Sequence, residues 1–161
     1  MGFDLYFMRV NGQETYDADR AGLAAFLDRH RLHQVPDLST AVMVDQSGAP
    51  LSFEGYQSEL YLNLLDQSEP VTGNINHATL SDEETVFIYD LCVAGGFVIV
   101  NPQGEPDNLV PGGVFDSSFV SPYGSTAWVN SAAELQEALS GNFERFLEYR
   151  RQIISPTPDE E

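Results

Sequence analysis

The stretch SDEETVFIYDLCVAGGFVIV, positions 81–100, constrains the fold more than any other part of the chain. Ser81 followed by Asp82, Glu83 and Glu84 is a helix N-cap with an acid three residues on, and the acids suit the positive end of a helix dipole. A helix over ETVFIYDLCVA would stop where Gly95 or Gly96 adopts left-handed backbone, and FVIV would follow as a buried strand. The β-branched and aromatic content of the same residues supports another reading, a strand that turns as a hairpin at Gly95-Gly96. The capping signature favours the helix. Pro102 to Gly104 then makes a turn, Pro early and Gly late, and nothing in the stretch requires chemistry.

The remaining elements are arranged around this unit. FDLYFMRV, residues 3–10, alternates loosely and is rich in aromatics, as a first strand does. After the turn signal Asn11-Gly12, Asp17 can cap a helix reaching about Arg31, with Leu23, Phe26 and Leu27 at helical spacing and Pro36 closing the unit. STAVMVDQSGAPLSFEG reads as a hairpin around Ser47-Gly48, and SELYLNLLD, 58–66, as a further strand. Residues 67–80 turn polar and read as loop, and 105–130, rich in Gly, Pro and Ser, as a long segment wrapping the sheet edge. Ser131 opens the clearest helix. Its wheel places Leu135, Leu139, Phe143, Phe146 and Leu147 on one face and Glu134, Glu137, Glu144 and Glu148 on the other, provided that the helix runs through Gly141.

The order strand, helix, strands, helix, strand predicts an α+β domain of the ferredoxin-like, split βαβ kind. Its antiparallel sheet carries two helices on one face, with the C-terminal helix as an addition. One domain over 1–154 with a polar acidic tail, 155–161, suits a chain of 161 residues that is 42% hydrophobic.

Charge narrows the function classes. There are 25 acidic side chains against 7 basic ones, a formal net charge of −18. Such a field repels nucleic acid and anionic membranes and attracts basic surfaces with fast, salt-sensitive association. The same charge also serves solubility or adaptation to salt. One cysteine forms no internal disulfide, and no stretch approaches the roughly 20 apolar residues of a membrane span; both fit residence in the cytoplasm.

Candidate chemistry is sparse. Cys92 sits among Leu91, Val93 and Ala94 toward a helix C-terminus, where the dipole disfavours a thiolate, and reads as a buried structural residue. His30 and His33, with Asp28 and Asp37, lack the ligand spacing of a metal site, and His77 stands alone in a loop. Asp4, between Phe3 and Leu5, is either an edge device or a partner for backbone. No GxSxG, GxGxxG or GxxxxGK[ST] motif is present, and Gly112-Gly113 reads as a turn. The absence of lysine removes Schiff-base chemistry. No catalytic residue, cofactor or metal is therefore expected. Binding residues are. Phe115, Phe119, Tyr123 and Trp128, set among Glu105, Asp107 and Asp116, suit partner anchors, or alternatively a lid over the sheet. The Glu134, Glu137, Glu144, Glu148 stripe is a further anionic patch, or a solvated helix face.

The fragments MGFDLYFMR and LCVAGGFVIVNPQGEP resemble small acidic immunity proteins of bacterial polymorphic and type VI secreted toxin systems. The chain has Val100-Asn101-Pro102-Gln103 where the usual form is vYDPQ. The resemblance implies a protein that neutralises a cognate toxin by binding and occluding it, one to one, and it transfers no active-site residue. Combined with the charge, it implies a toxin with a basic active-site cleft, and an N-terminus without signal-peptide features implies a toxin acting in the cytoplasm. Two other classes remain open: a small enzyme using carboxylates and one histidine beside 105–128, and an acidic regulatory module.

Overall fold

In β1 (Leu5–Asn11) the side chains of Leu5 and Phe7 are fully buried, whereas Tyr6 between them is 40% exposed. This strand period of two divides the protein into two layers. The computed structural model describes residues 3–38 and 40–141. After β1 come β2 (Glu14–Tyr16), α1 (Arg20–Arg29), β3 (His33–Asp37), β4 (Thr40–Val44), β5 (Ser52–Phe53), β6 (Tyr56–Gln57), β7 (Glu59–Leu62) and β8 (Gly73–Asn76). Then follow α2 (Asp82–Gly95), β9 (Val98–Val100), β10 (Asn108–Pro111) and β11 (Thr126–Val129). A third helix, α3, occupies 132–141 and reaches the last described residue.

Nine strands form one sheet in the order β11-β10-β9-β1-β8-β7-β4-β3, with β2 paired to β1, while β5 and β6 form a separate two-stranded sheet. The α+β class holds, but the sheet is mixed rather than antiparallel. β10 and β11 run parallel because residues 112–125 carry the chain back across the sheet before β11 begins. Leu5, Phe7, Ile75, Ile99 and Leu109 form one core with Leu23, Phe26 and Leu27 of α1, Ile88, Leu91 and Cys92 of α2, and Leu135 and Leu139 of α3. The three described helices thus share one face of the sheet.

The helix over 82–95 forms, and the alternative hairpin does not. Ser81 caps it by accepting from the Glu84 N–H, and Gly96 ends it with φ 70°. α1 is capped by Asp19, not Asp17, because Asp19 accepts from the Gly22 N–H. Asp17 instead accepts from the Val71 N–H at 3.1 Å and the Arg20 guanidinium at 2.8 Å, and these bonds hold its carboxyl below the usual range. Arg20 also donates to the carbonyls of Leu65, Gln67 and Glu69, fastening 65–71 to the start of α1. Arg20→Ala leaves several of these carbonyls without a protein donor. It is expected to lower stability by about 2 kcal/mol, read as a shifted urea midpoint with unchanged slope.

Several strands lie where loop is expected from the sequence. β8 falls within 67–80, β10 and β11 within 105–130, β2 follows Gly12, and β3 follows α1. Pro36 lies inside β3, which is an edge strand and tolerates a residue without an N–H. The hairpin about Ser47-Gly48 is shorter than its sequence suggests. Asp45 closes the turn by accepting from Ser47 and Ala49, but pairing ends at the Val44–Pro50 bridge, and the second arm folds into β5 and β6. Of the residues expected in the C-terminal helix, Phe143, Glu144, Phe146, Leu147 and Glu148 lie outside the described residues, as do the expected domain end at 154 and the tail 155–161.

Glu84 is 3% exposed and accepts from the N–H groups of Thr79 and Leu80, which pins Leu80 in left-handed backbone, φ 56°. Burial raises its pKa against the lowering effect of these bonds. A folded pKa above the unfolded one gives a contribution fully present below the ordinary carboxylate pKa and lost as pH rises through the raised value. Glu84→Gln keeps an oxygen acceptor without the charge. Its urea midpoint is expected to gain on that of the native protein from about pH 4 to pH 8. A variant that falls further behind as pH rises contradicts this.

Candidate functional site

The sheet face opposite the helices holds most of the aromatic candidates. Strand register aligns one row across eight strands: Thr126, Asn108, Val100, Tyr6, Asn74, Tyr61, Val42 and Val35. At the β10–β11 end, Val10, Val98, Val110 and Val114 form a second small core, with Met8, Phe115 and Phe119 packed against it. Residues 112–120 therefore cover that end. From Val100 to Val35 the row is half-buried to exposed, Tyr6 at 40% and Val35 at 41%. Two tyrosines in mid-row make it an amphipathic surface.

Arg9 locks the cover in place. Its guanidinium lies 4.4 Å from the Phe115 ring centroid and donates to the Gly96 carbonyl at 3.0 Å and the Val114 carbonyl at 3.4 Å. Phe115 packs against Phe119 in a tilted arrangement with centroids 5.2 Å apart, and Phe119 meets Trp128 edge-on at 5.8 Å. The outermost ring, Trp128, is 46% exposed. Val120 and Tyr123 are also exposed, and the Tyr123 carbonyl is fixed by Asn108 Nδ2. Phe115 and Phe119 thus pack as the lid, whereas Trp128 and Tyr123 keep exposed rings.

The predicted acidic residues divide differently. Asp107 accepts from the Ser125 N–H at 2.9 Å and shapes the turn at Gly124, where a Cβ would lie 2.0 Å from its Oδ2. Glu134 accepts from the Asn130 N–H while Ser131 accepts from the Glu134 N–H, so Glu134 serves the start of α3. Asp116 closes its own turn, and bonds from the Ser118 hydroxyl and N–H lower its pKa, keeping it charged. Glu105 and Glu137 are exposed. Glu144 and Glu148 lie outside the described residues. Much of the acidic set is therefore engaged in local structure.

The remaining candidates have clear places. Asp4 accepts from the His77 N–H at 3.1 Å; since β1 is an interior strand, this is backbone support and not an edge device. His77 Nδ1 lies 3.0 Å from Glu59 Oε2 at the rim of the open face, both side chains about half exposed. His30 packs on Phe26 at 4.4 Å, and His33 is exposed in the edge strand β3. Cys92 is fully buried and its thiol pKa is pushed well up by burial, so it serves packing. Tyr6, Tyr61 and Val35 are the surface residues that sequence reasoning missed. The alternation Leu5-Tyr6-Phe7-Met8 carries the signal for Tyr6.

Compared with family models, with curated proteins and with solved structures, the chain matches none. No helix among the described residues is long and apolar enough to cross a membrane.

Proposed function

We propose that this protein is a non-enzymatic immunity protein, a one-to-one binder that occludes a basic active-site cleft of a toxin acting in the cytoplasm. The observation that carries the reading is the sheet face opposite the described helices, where Tyr6 and Trp128 stand exposed on a chain of net charge −18. Large amphipathic rings provide contact area at low entropic cost, and the negative field steers a basic partner onto them. Exposed carboxylates such as Glu105 and Asp116 contribute to that field, while the anchors hold the complex.

The fold fits the same reading. The order β9-β1-β8-β7, antiparallel throughout, with α1 after β1 and α2 before β9, supports a split βαβ unit extended at both edges. Such an extended sheet offers a broader open face than a four-stranded one.

The experiment is co-expression with the product of the adjacent upstream gene, followed by size exclusion with light scattering. A one-to-one complex that forms more slowly as salt is added supports the proposal. Two separate peaks under all conditions overturn it.

A further inference from the structure

A groove of about 330 Å³ opens on the helix side of the molecule, apart from the face described above. His30 at the end of α1, Leu32, residues 51–53, and Glu83, Val86, Phe87 and Asp90 of α2 line it. Positions 83, 86, 87 and 90 form one helical stripe, with a carboxylate at each end and the Phe87 ring between them. Phe87 lies 5.3 Å from Phe53 and 5.4 Å from His30, giving an aromatic floor.

We propose that this groove binds a small organic cation, an ammonium group carried on a compact aromatic body. The volume is that of a small-ligand pocket. One Glu83 oxygen accepts from the Glu54 N–H at 2.9 Å, which holds that carboxylate at the groove. The Asp90 carboxylate is exposed and makes no hydrogen bond or ion pair with any described residue, so it is open to a ligand. Arg29, which lies over Phe26 at 5.7 Å, and Arg31, between His30 and Leu32 in sequence, are not part of the lining. An anionic ligand would meet two carboxylates. A neutral apolar one would desolvate Asp90 without pairing it. An ammonium on a ring pairs with the carboxylates and places its apolar body on Phe53 and Phe87. The proposal does not rest on the immunity reading, because it concerns another face and another class of ligand.

The test is a titration of the full chain with 2-phenylethylammonium, followed by amide chemical shifts. Saturable shifts confined to 51–53 and 83–90 are expected, with Kd on the order of 1 mM. The neutral analogue 2-phenylethanol should bind at least about fivefold more weakly, and Asp90→Asn should weaken the cation by about the same factor. Glu83→Gln, which keeps an acceptor for the Glu54 N–H, provides a second variant. Equal binding of the alcohol, unchanged affinity in both variants, or shifts centred elsewhere would overturn the proposal.

Discussion

Gly22→Val is expected to destabilise the protein by about 3 kcal/mol or more, lowering Tm by roughly 10 °C. Glycine inside a helix ordinarily costs up to about 1 kcal/mol relative to alanine, so propensity alone would make its replacement favourable. At position 22 the surroundings reverse that sign. A Cβ there would lie 2.2 Å from the Ala94 carbonyl oxygen and 2.8 Å from Asp19 Oδ2. α1 and α2 approach at this point, and the Asp19 N–H donates to the Gly95 carbonyl at 2.9 Å. Both partners are backbone or cap and have little room to yield. Even Gly22→Ala should therefore lose stability. The control is Ala21→Val, an exposed neighbour in the same helix, for which only the propensity cost of well under about 1 kcal/mol is expected. Equal urea midpoints for the valine variants at 21 and 22 would show that the helices do not meet as described.

Trp128→Ala is expected to raise the dissociation rate of the proposed partner complex about 100-fold while Tm moves by only a few degrees. The ring touches Phe119 by its edge, and nearly half of it faces solvent, so its removal leaves a shallow notch rather than a core cavity. Association should hardly change, because the steering charge is intact. A large fall in Tm with unchanged dissociation would assign Trp128 to the core.

The parts of the fold legible in sequence are those with local causes. Ser81 and Glu84 mark the start of α2, and Gly96 marks its end, because capping and left-handed backbone are properties of neighbouring residues. β8, β10 and β11 are each four residues long, too short to display a period against their polar flanks. GNIN becomes a strand because β1 and β7 pair with it on either side, a tertiary cause. Asp17 resembles a cap in sequence, yet Val71, far along the chain, claims its carboxylate. The site was legible by half. Trp128 and Tyr123 stand out as aromatics in a polar loop, whereas Tyr6 and Tyr61 become neighbours only through the register of β1, β8 and β7. Asp107 and Glu134 read as free charges until their hydrogen bonds are seen.

The central claim is that the sheet face opposite the described helices meets the proposed partner. Hydroxyl-radical footprinting of the protein, free and bound to the product of the adjacent gene, reads this side chain by side chain. The account predicts protection of Tyr6, Tyr61 and Trp128, with Val86 and Val93 of α2 modified as in the free protein. Protection of Val86 and Val93 with Tyr6 and Trp128 still reactive would contradict it.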